Sequence, residues 1–114
     1  MTLKDVNQMM MELVQRANLT DYTYYQFAEN SAPPLPYLIF YYPFTTNEGA
    51  DNVVWSNVNR LNIELYTENK EFGIEAELEA VLTEHGFFYE KSEQYIEDEK
   101  MYEVLYEMGV VIDG

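Results

Sequence analysis

His85 is the first residue to test for chemistry, because an imidazole titrates near neutral pH and can act as base, acid or metal ligand. It is the only histidine, and the chain has no cysteine. Thiolate nucleophiles, thiolate zinc sites and disulfides are therefore excluded, and the redox compartment is left undetermined. A Ser-His-Asp triad built from Ser31, Ser56 or Ser92 would have to use the same His85, and none of these serines sits in a nucleophile-elbow pattern. His85 precedes Gly86 at the end of a predicted helix, where it suits packing or the helix's negative end. The five glycines, Gly49, Gly73, Gly86, Gly109 and Gly114, never take the spacing of a phosphate-cradling loop. Carboxylates are too numerous to be informative: a chain with 21 Asp and Glu places some pair at glycosidase distance by chance. Glu97-Asp98-Glu99 lacks the alternating ligands and central glycine of an EF-hand loop and reads as a solvated turn. Asn18-Leu19-Thr20 matches a glycosylation sequon, which carries no meaning without a secretory signal. The expectation is a protein that is not an enzyme, with no catalytic residue, no cofactor and no metal site.

Charge says more. Six Lys and Arg against 21 Asp and Glu give a net charge of -15 over 114 residues. Such a surface repels phosphate backbones, so direct nucleic-acid binding is not expected. The acid is uneven: residues 1–66 carry three basic and seven acidic side chains (net -4), and residues 67–114 carry three and fourteen (net -11). Apolar residues make up 47% and aromatics 16%, and the mean hydropathy is -0.35, which fits one soluble domain with a real core. No apolar run approaches the roughly 18 residues of a membrane span, and the first residues read as a helix rather than a signal peptide.

The elements that position these groups follow from periodicity. Leu3, Val6, Met9, Met10, Leu13, Val14 and Ala17 form one helical stripe, with Thr2 and Asp5 in a box-like N-terminal arrangement and Asn18 as a left-handed stop. Met9 and Met10 fill the core seam and Met11 turns outward. Residues 21–29, rich in Tyr and Thr, read as a strand, and Pro33, Pro34 and Pro36 stiffen the connector after it. Residues 37–42 are apolar on both faces, which predicts a central strand covered on both sides. Residues 45–57 predict a long hairpin arm turning at 47–52 and carrying Trp55, the one tryptophan. In 58–67, Leu61, Ile63 and Leu65 face one way and Arg60, Asn62, Glu64 and Tyr66 the other, so one face is core. Residues 71–85 predict a second helix with Ile74, Leu78, Val81, Leu82 and His85 inward and Glu71, Glu75, Glu77, Glu79 and Glu84 on a solvated side. Residues 87–93 and 100–112 predict a hairpin around an acidic turn at 94–99. The order α-β-β-(arm)-β-α-β-β predicts an α+β domain over 1–114, with a mostly antiparallel sheet and both helices on one face.

Two surface features stand out. Glu103 and Glu107 alternate with Tyr102, Val104, Tyr106 and Met108, so the last strand has one apolar face and one carboxylate-bearing face that would repel a polyanion, most strongly if copies stood in a ring. Eleven Tyr and six Phe are more than a core needs. Together with an arm holding Asn47, Gly49, Asp51, Val54 and Trp55, they suggest self-association.

The runs Tyr25-Gln26-Phe27-Ala28-Glu29, Pro34-Leu35-Pro36-Tyr37-Leu38-Ile39-Phe40-Tyr41-Tyr42 and Arg60-Leu61-Asn62-Ile63-Glu64-Leu65-Tyr66-Thr67 carry a family resemblance. So do the helix at 75–85, Tyr89-Glu90-Lys91-Ser92 and Tyr102-Glu103-Val104-Leu105-Tyr106-Glu107-Met108. Over most of the chain from Tyr22 onward, in texture and element order, the sequence resembles tail terminator (tail completion) and head-tail joining proteins of long-tailed phages of Gram-positive bacteria, the siphoviruses. The resemblance implies a structural virion protein assembled in the host cytoplasm as a hexameric ring. That ring would cap the tail tube protein and dock it to the head connector or head-closure protein, with DNA passing through its lumen unbound and no membrane involved. Glu103 and Glu107 would then be lumen acids, and the arm would reach a neighbouring subunit or the tube. The composition also fits another class, an acidic DNA-mimic inhibitor of a DNA-binding protein, which would stay a monomer or dimer.

Overall fold

The computed structural model describes residues 1–50 and 53–112, with side chains described for 1–46 and 58–112. The first helix, α1 (Leu3–Ala17), starts where the sequence predicts. The Asp5 N–H donates to Thr2 Oγ1 at 3.1 Å and the Thr2 N–H donates to Asp5 Oδ2 at 2.9 Å, so two end amides are satisfied reciprocally. Asn18 ends α1 at φ 56°, donating its N–H back to the last turn. Val6, Met9, Met10, Leu13 and Ala17 are buried and Met11 is exposed, as the stripe requires. Leu3 departs from it: at the first helical position it is 57% exposed.

Seven further elements follow: β1 (Tyr22–Tyr24), β2 (Tyr37–Tyr41), β3 (Thr45–Ala50), β4 (Val53–Thr67), α2 (Phe72–Glu84), β5 (Tyr89–Ile96) and β6 (Met101–Val111). The sheet order is β1-β2-β4-β6-β5, with β3 pairing β4 beyond the end of β2. Only β1 and β2 run parallel; every other pairing is antiparallel. The predicted class and element order therefore stand. Several boundaries are corrected. The strand expected over 21–29 stops at Tyr24, because Tyr25 takes φ 73° and turns its N–H onto the Phe40 carbonyl. Phe87 and Phe88 precede β5 rather than joining it, and Gln94, Tyr95 and Ile96 pair with β6, which tightens the turn expected at 94–99. The arm's strands take in Asn47, Gly49 and Val54, and the pairing shifts register between Glu48 and Gly49.

The sheet's two faces divide sharply. Leu38, Phe40, Leu61, Ile63, Leu65, Val104, Tyr106, Met108 and Val110 share one face and are buried with the stripes of α1 and α2. This helix-covered side is the core. The opposite face, expected to be covered over β2, carries no helix, and Tyr37, Ile39 and Tyr41 remain half-buried there. Among the described residues no helix is long and apolar enough to cross a membrane.

One acid is far from its predicted place. Glu75, assigned to the solvated side of α2, is 2% exposed. Its carboxylate lies 2.7 Å from Lys70 Nζ and 2.8 Å from Lys91 Nζ, and Glu79 Oε2 lies 2.8 Å from Lys91 Nζ and accepts from the Tyr106 hydroxyl at 2.9 Å. Lys91 is on the helix-covered side of β5, in register with Tyr106. The network thus fixes α2 onto the last hairpin through paired charges rather than apolar contact alone. Burial works against the Lys91 ammonium, but Glu75 and Glu79 outweigh it and raise its pKa.

Candidate functional site

The helix-free sheet face holds most of the chain's unusual chemistry. Strand register sets three rows across β2, β4, β6 and β5: Tyr41-Asn62-Glu107-Glu90, Ile39-Glu64-Leu105-Ser92 and Tyr37-Tyr66-Glu103-Gln94. Alternation along each strand sends all these residues to the side away from the helices. The register thus brings the two predicted acids, Glu103 and Glu107, onto one face, and adds Glu64 and Glu90, which sequence reasoning did not single out. Glu90 and Glu107 are direct cross-strand partners of like charge. Among the described residues no salt bridge reaches any of these four carboxylates.

The centre of the face is a connected polar network. Tyr66 Oη is 2.8 Å from Glu64 Oε1 and 2.7 Å from Glu103 Oε2, and Gln94 Nε2 donates to Glu103 Oε1 at 3.0 Å. Asn62 Nδ2 donates to Tyr41 Oη at 3.4 Å. Asn62 and Glu64, predicted on the non-core side, are only 7% and 8% exposed, because flanking Tyr41 and Tyr66 cover them. A phenol has one proton to donate. With two carboxylate oxygens at bonding distance from Tyr66, the second contact calls for a proton on a carboxyl. Glu64 is the group placed to hold it: burial pushes its pKa up, opposed by the Tyr66 hydrogen bond and reinforced by Glu103. Burial, then Glu103 and Glu64, also drive the Tyr66 phenol far above its ordinary range.

This proton has a consequence for stability. Because the folded pKa of Glu64 is raised above its ordinary 4.5, its contribution is fully present below that value and is lost as pH rises through the folded one. Asp5, lowered by its Thr2 bonds, and Glu79, where Lys91 and Tyr106 outweigh burial, act oppositely; their contributions are lost as pH falls through their folded values. Glu64→Gln, whose amide can donate where the carboxyl proton did, is expected to stabilise the fold by about 1 kcal/mol at pH 7. Thermal melts at pH 7 and pH 4.5 check this: the gain should shrink at the lower pH. A constant gain would assign it to something other than the buried carboxyl.

The other candidates are placed as follows. His85 caps α2, with Nε2 2.9 Å from Glu12 Oε1, and no second imidazole or thiol exists to join it. Among the described residues no three His, Cys, Asp or Glu side chains stand together as a metal-binding group. The side chains of Asn47, Gly49, Val54 and Trp55, and all of Asp51, lie outside the described residues. Beside the polar network, Tyr25, Phe27, Tyr37, Tyr66, Ile96 and Met101 help line an open hollow of about 430 Å³. The alternation along β6 was enough to find Glu103 and Glu107; Glu64 became visible only once β4 was set between β2 and β6.

An α+β fold with two helices on one side of a mixed sheet and an acidic, tyrosine-bordered opposite side is thus the class defined. No family model matches the sequence, and no curated protein matches it. Among solved structures, the chain is similar in fold to one from a structure described as the virion of a native gene transfer agent particle. That likeness has a TM-score of 0.67 and 12% identity and covers 99% of this chain and 96% of the other.

Proposed function

We propose that the chain is a structural virion protein of the phage head-tail junction, a tail terminator that caps the tail tube and docks it to the head connector. The observation that carries this reading is the end-to-end fold likeness to a chain of a gene transfer agent virion. The sequence resemblance to tail terminators supports the finer assignment. In this reading the helix-free face lines the lumen of a hexameric ring. Glu90, Glu103 and Glu107 give it a negative potential, which keeps passing DNA from adhering.

Light scattering coupled to size-exclusion chromatography tests the proposal, with the protein alone and mixed with purified tail tubes at moderate ionic strength, because -15 per chain opposes association in low salt. The expected result is a hexamer, or a monomer that binds tube ends. A monomer or dimer that ignores tubes would overturn the reading in favour of the DNA-mimic inhibitor. The lumen assignment has its own test. Glu103→Lys together with Glu107→Lys is expected to leave the ring assembled while lowering infectivity by about 10-fold or more, since a positive lining retains phosphate. Unchanged infectivity would remove these acids from the lumen.

A further inference from the structure

The hollow of about 430 Å³ lies at the end of the helix-free face opposite the arm, and a departure of the backbone builds one side of it. β1 stops at Tyr24 because Tyr25 takes φ 73°, and the chain then brings two rings onto this face. Tyr25 packs against Tyr41 at 5.8 Å between ring centroids, and Phe27 against Tyr37 at 5.1 Å, nearly perpendicular at 82°. Tyr37 in turn lies 5.4 Å from Tyr66, whose hydroxyl is held 2.7 Å from Glu103. Phe27, Tyr37 and Tyr66 therefore make a continuous aromatic wall, already positioned before any guest arrives. The last hairpin adds Met101 and, at its turn, Glu99. Ring faces are negative and attract a cation within about 6 Å. Among the described residues no Lys or Arg lines the hollow, Glu99 is its one charged side chain, and no salt bridge reaches that carboxylate. Residues 67–114, at net -11, add attraction for a positive guest and repulsion for an acidic one. An apolar guest would meet the wall alone, whereas a cation on an aliphatic stem meets the wall and Glu99 together.

We propose that this hollow is a docking pocket for an arginine side chain presented by an exposed segment of a partner protein. The aliphatic stem lies along Met101, the planar guanidinium stacks on the tyrosine rings, and Glu99 accepts from its N–H fork. Lysine is the poorer guest, because its ammonium is a strongly hydrated point charge that neither stacks nor bonds a carboxylate in two places. One side chain in an open hollow binds weakly by itself, with a Kd of about 1–10 mM, and contributes to a larger interface as an anchor. The inference needs only the isolated chain and does not rest on the head-tail reading or on ring assembly.

Nuclear magnetic resonance titration of the 15N-labelled chain with the capped peptide acetyl-Gly-Arg-Gly-amide, at physiological ionic strength, reads the pocket directly. The expected result is saturable shifts gathered at the amides of residues 25–27, 37, 66 and 99–101. The same peptide with citrulline, which keeps the shape of arginine and loses its charge, should bind about 10-fold more weakly, and the leucine peptide should not saturate. Glu99→Gln and Tyr25→Ala should each weaken the arginine peptide by about fivefold. Both are exposed positions, Tyr25 at 62%, so the fold should tolerate the changes. Glu12→Gln, which removes one charge from the helix side, should leave binding within about twofold, because distant exposed charges are screened. Circular dichroism melts check that each variant is folded; if Tyr25→Ala is not, Glu99→Gln and the citrulline peptide decide. Equal binding of arginine and citrulline, shifts spread over the whole acidic face, or a loss in Glu12→Gln as large as in Glu99→Gln would overturn the proposal.

Discussion

Glu75→Ala is expected to cost about 3 kcal/mol of folding stability and to lower Tm by about 10 °C or more. The carboxylate is almost wholly buried and, among the described residues, is the one group that contacts both Lys70 and Lys91. Removing it leaves two ammonium groups in a partly desolvated pocket, Lys70 with Glu93 at 2.9 Å and Lys91 with Glu79. Breaking one member of a buried set costs far more than the set's net worth, because the remaining charges stay desolvated. The partners that remain hold the expected value at the lower end of the usual range. Urea unfolding of wild type and variant measures it, and a loss below about 1 kcal/mol would mean that both lysines swing out to water without penalty. Arg16→Ala provides the contrast. Its contacts with Glu77 and Glu84 sit on the exposed side of the helix pair, so its loss should change stability by less than about 1 kcal/mol.

Leu61→Ala carries the other large effect, about 3 kcal/mol, within the range for a leucine removed from a close-packed interior. Leu61 is fully buried on β4, opposite Met108 of β6, under the helices. A cavity there cannot collapse easily, because β4 is held on both sides by β6 and by β2 and β3. The midpoint of urea unfolding should fall with its slope unchanged. Leu3→Ala should stay within about 0.5 kcal/mol, although periodicity alone places both leucines on buried stripes. Equal losses at the two positions would show that α1 packs deeper than its exposed start indicates.

That contrast marks where sequence reasoning succeeds and where it stops. Both helices, their ends and the buried face of β4 were legible because period and capping chemistry are local: Thr2 with Asp5, Asn18, and Leu61 with Ile63 and Leu65 need no knowledge of distant residues. The Tyr25 turn was not legible, since a tyrosine in a left-handed conformation is held by a bond to Phe40 from another strand. Glu75 was misplaced for a related reason. On helical periodicity it sits with other glutamates, and only the arrival of Lys91 from β5 makes its burial affordable. The candidate site divides the same way: Glu103 and Glu107 follow from alternation within one strand, whereas the approach of Glu103 to Tyr66 beside Glu64 exists only across strands.

The continuity of β4 has a mechanical meaning. Its 15 residues, at about 3.3 Å each, run some 50 Å from the arm into the core, and the molecule's longest dimension is 51 Å. A pull on the arm along this strand therefore enters the core through a single stretch of backbone. It loads the hydrogen bonds to β6 and β2 in parallel rather than one after another, as shear rather than unzipping. The arm is a tether whose anchor is the central strand of the sheet, so traction on it is shared by the whole domain before any one contact yields.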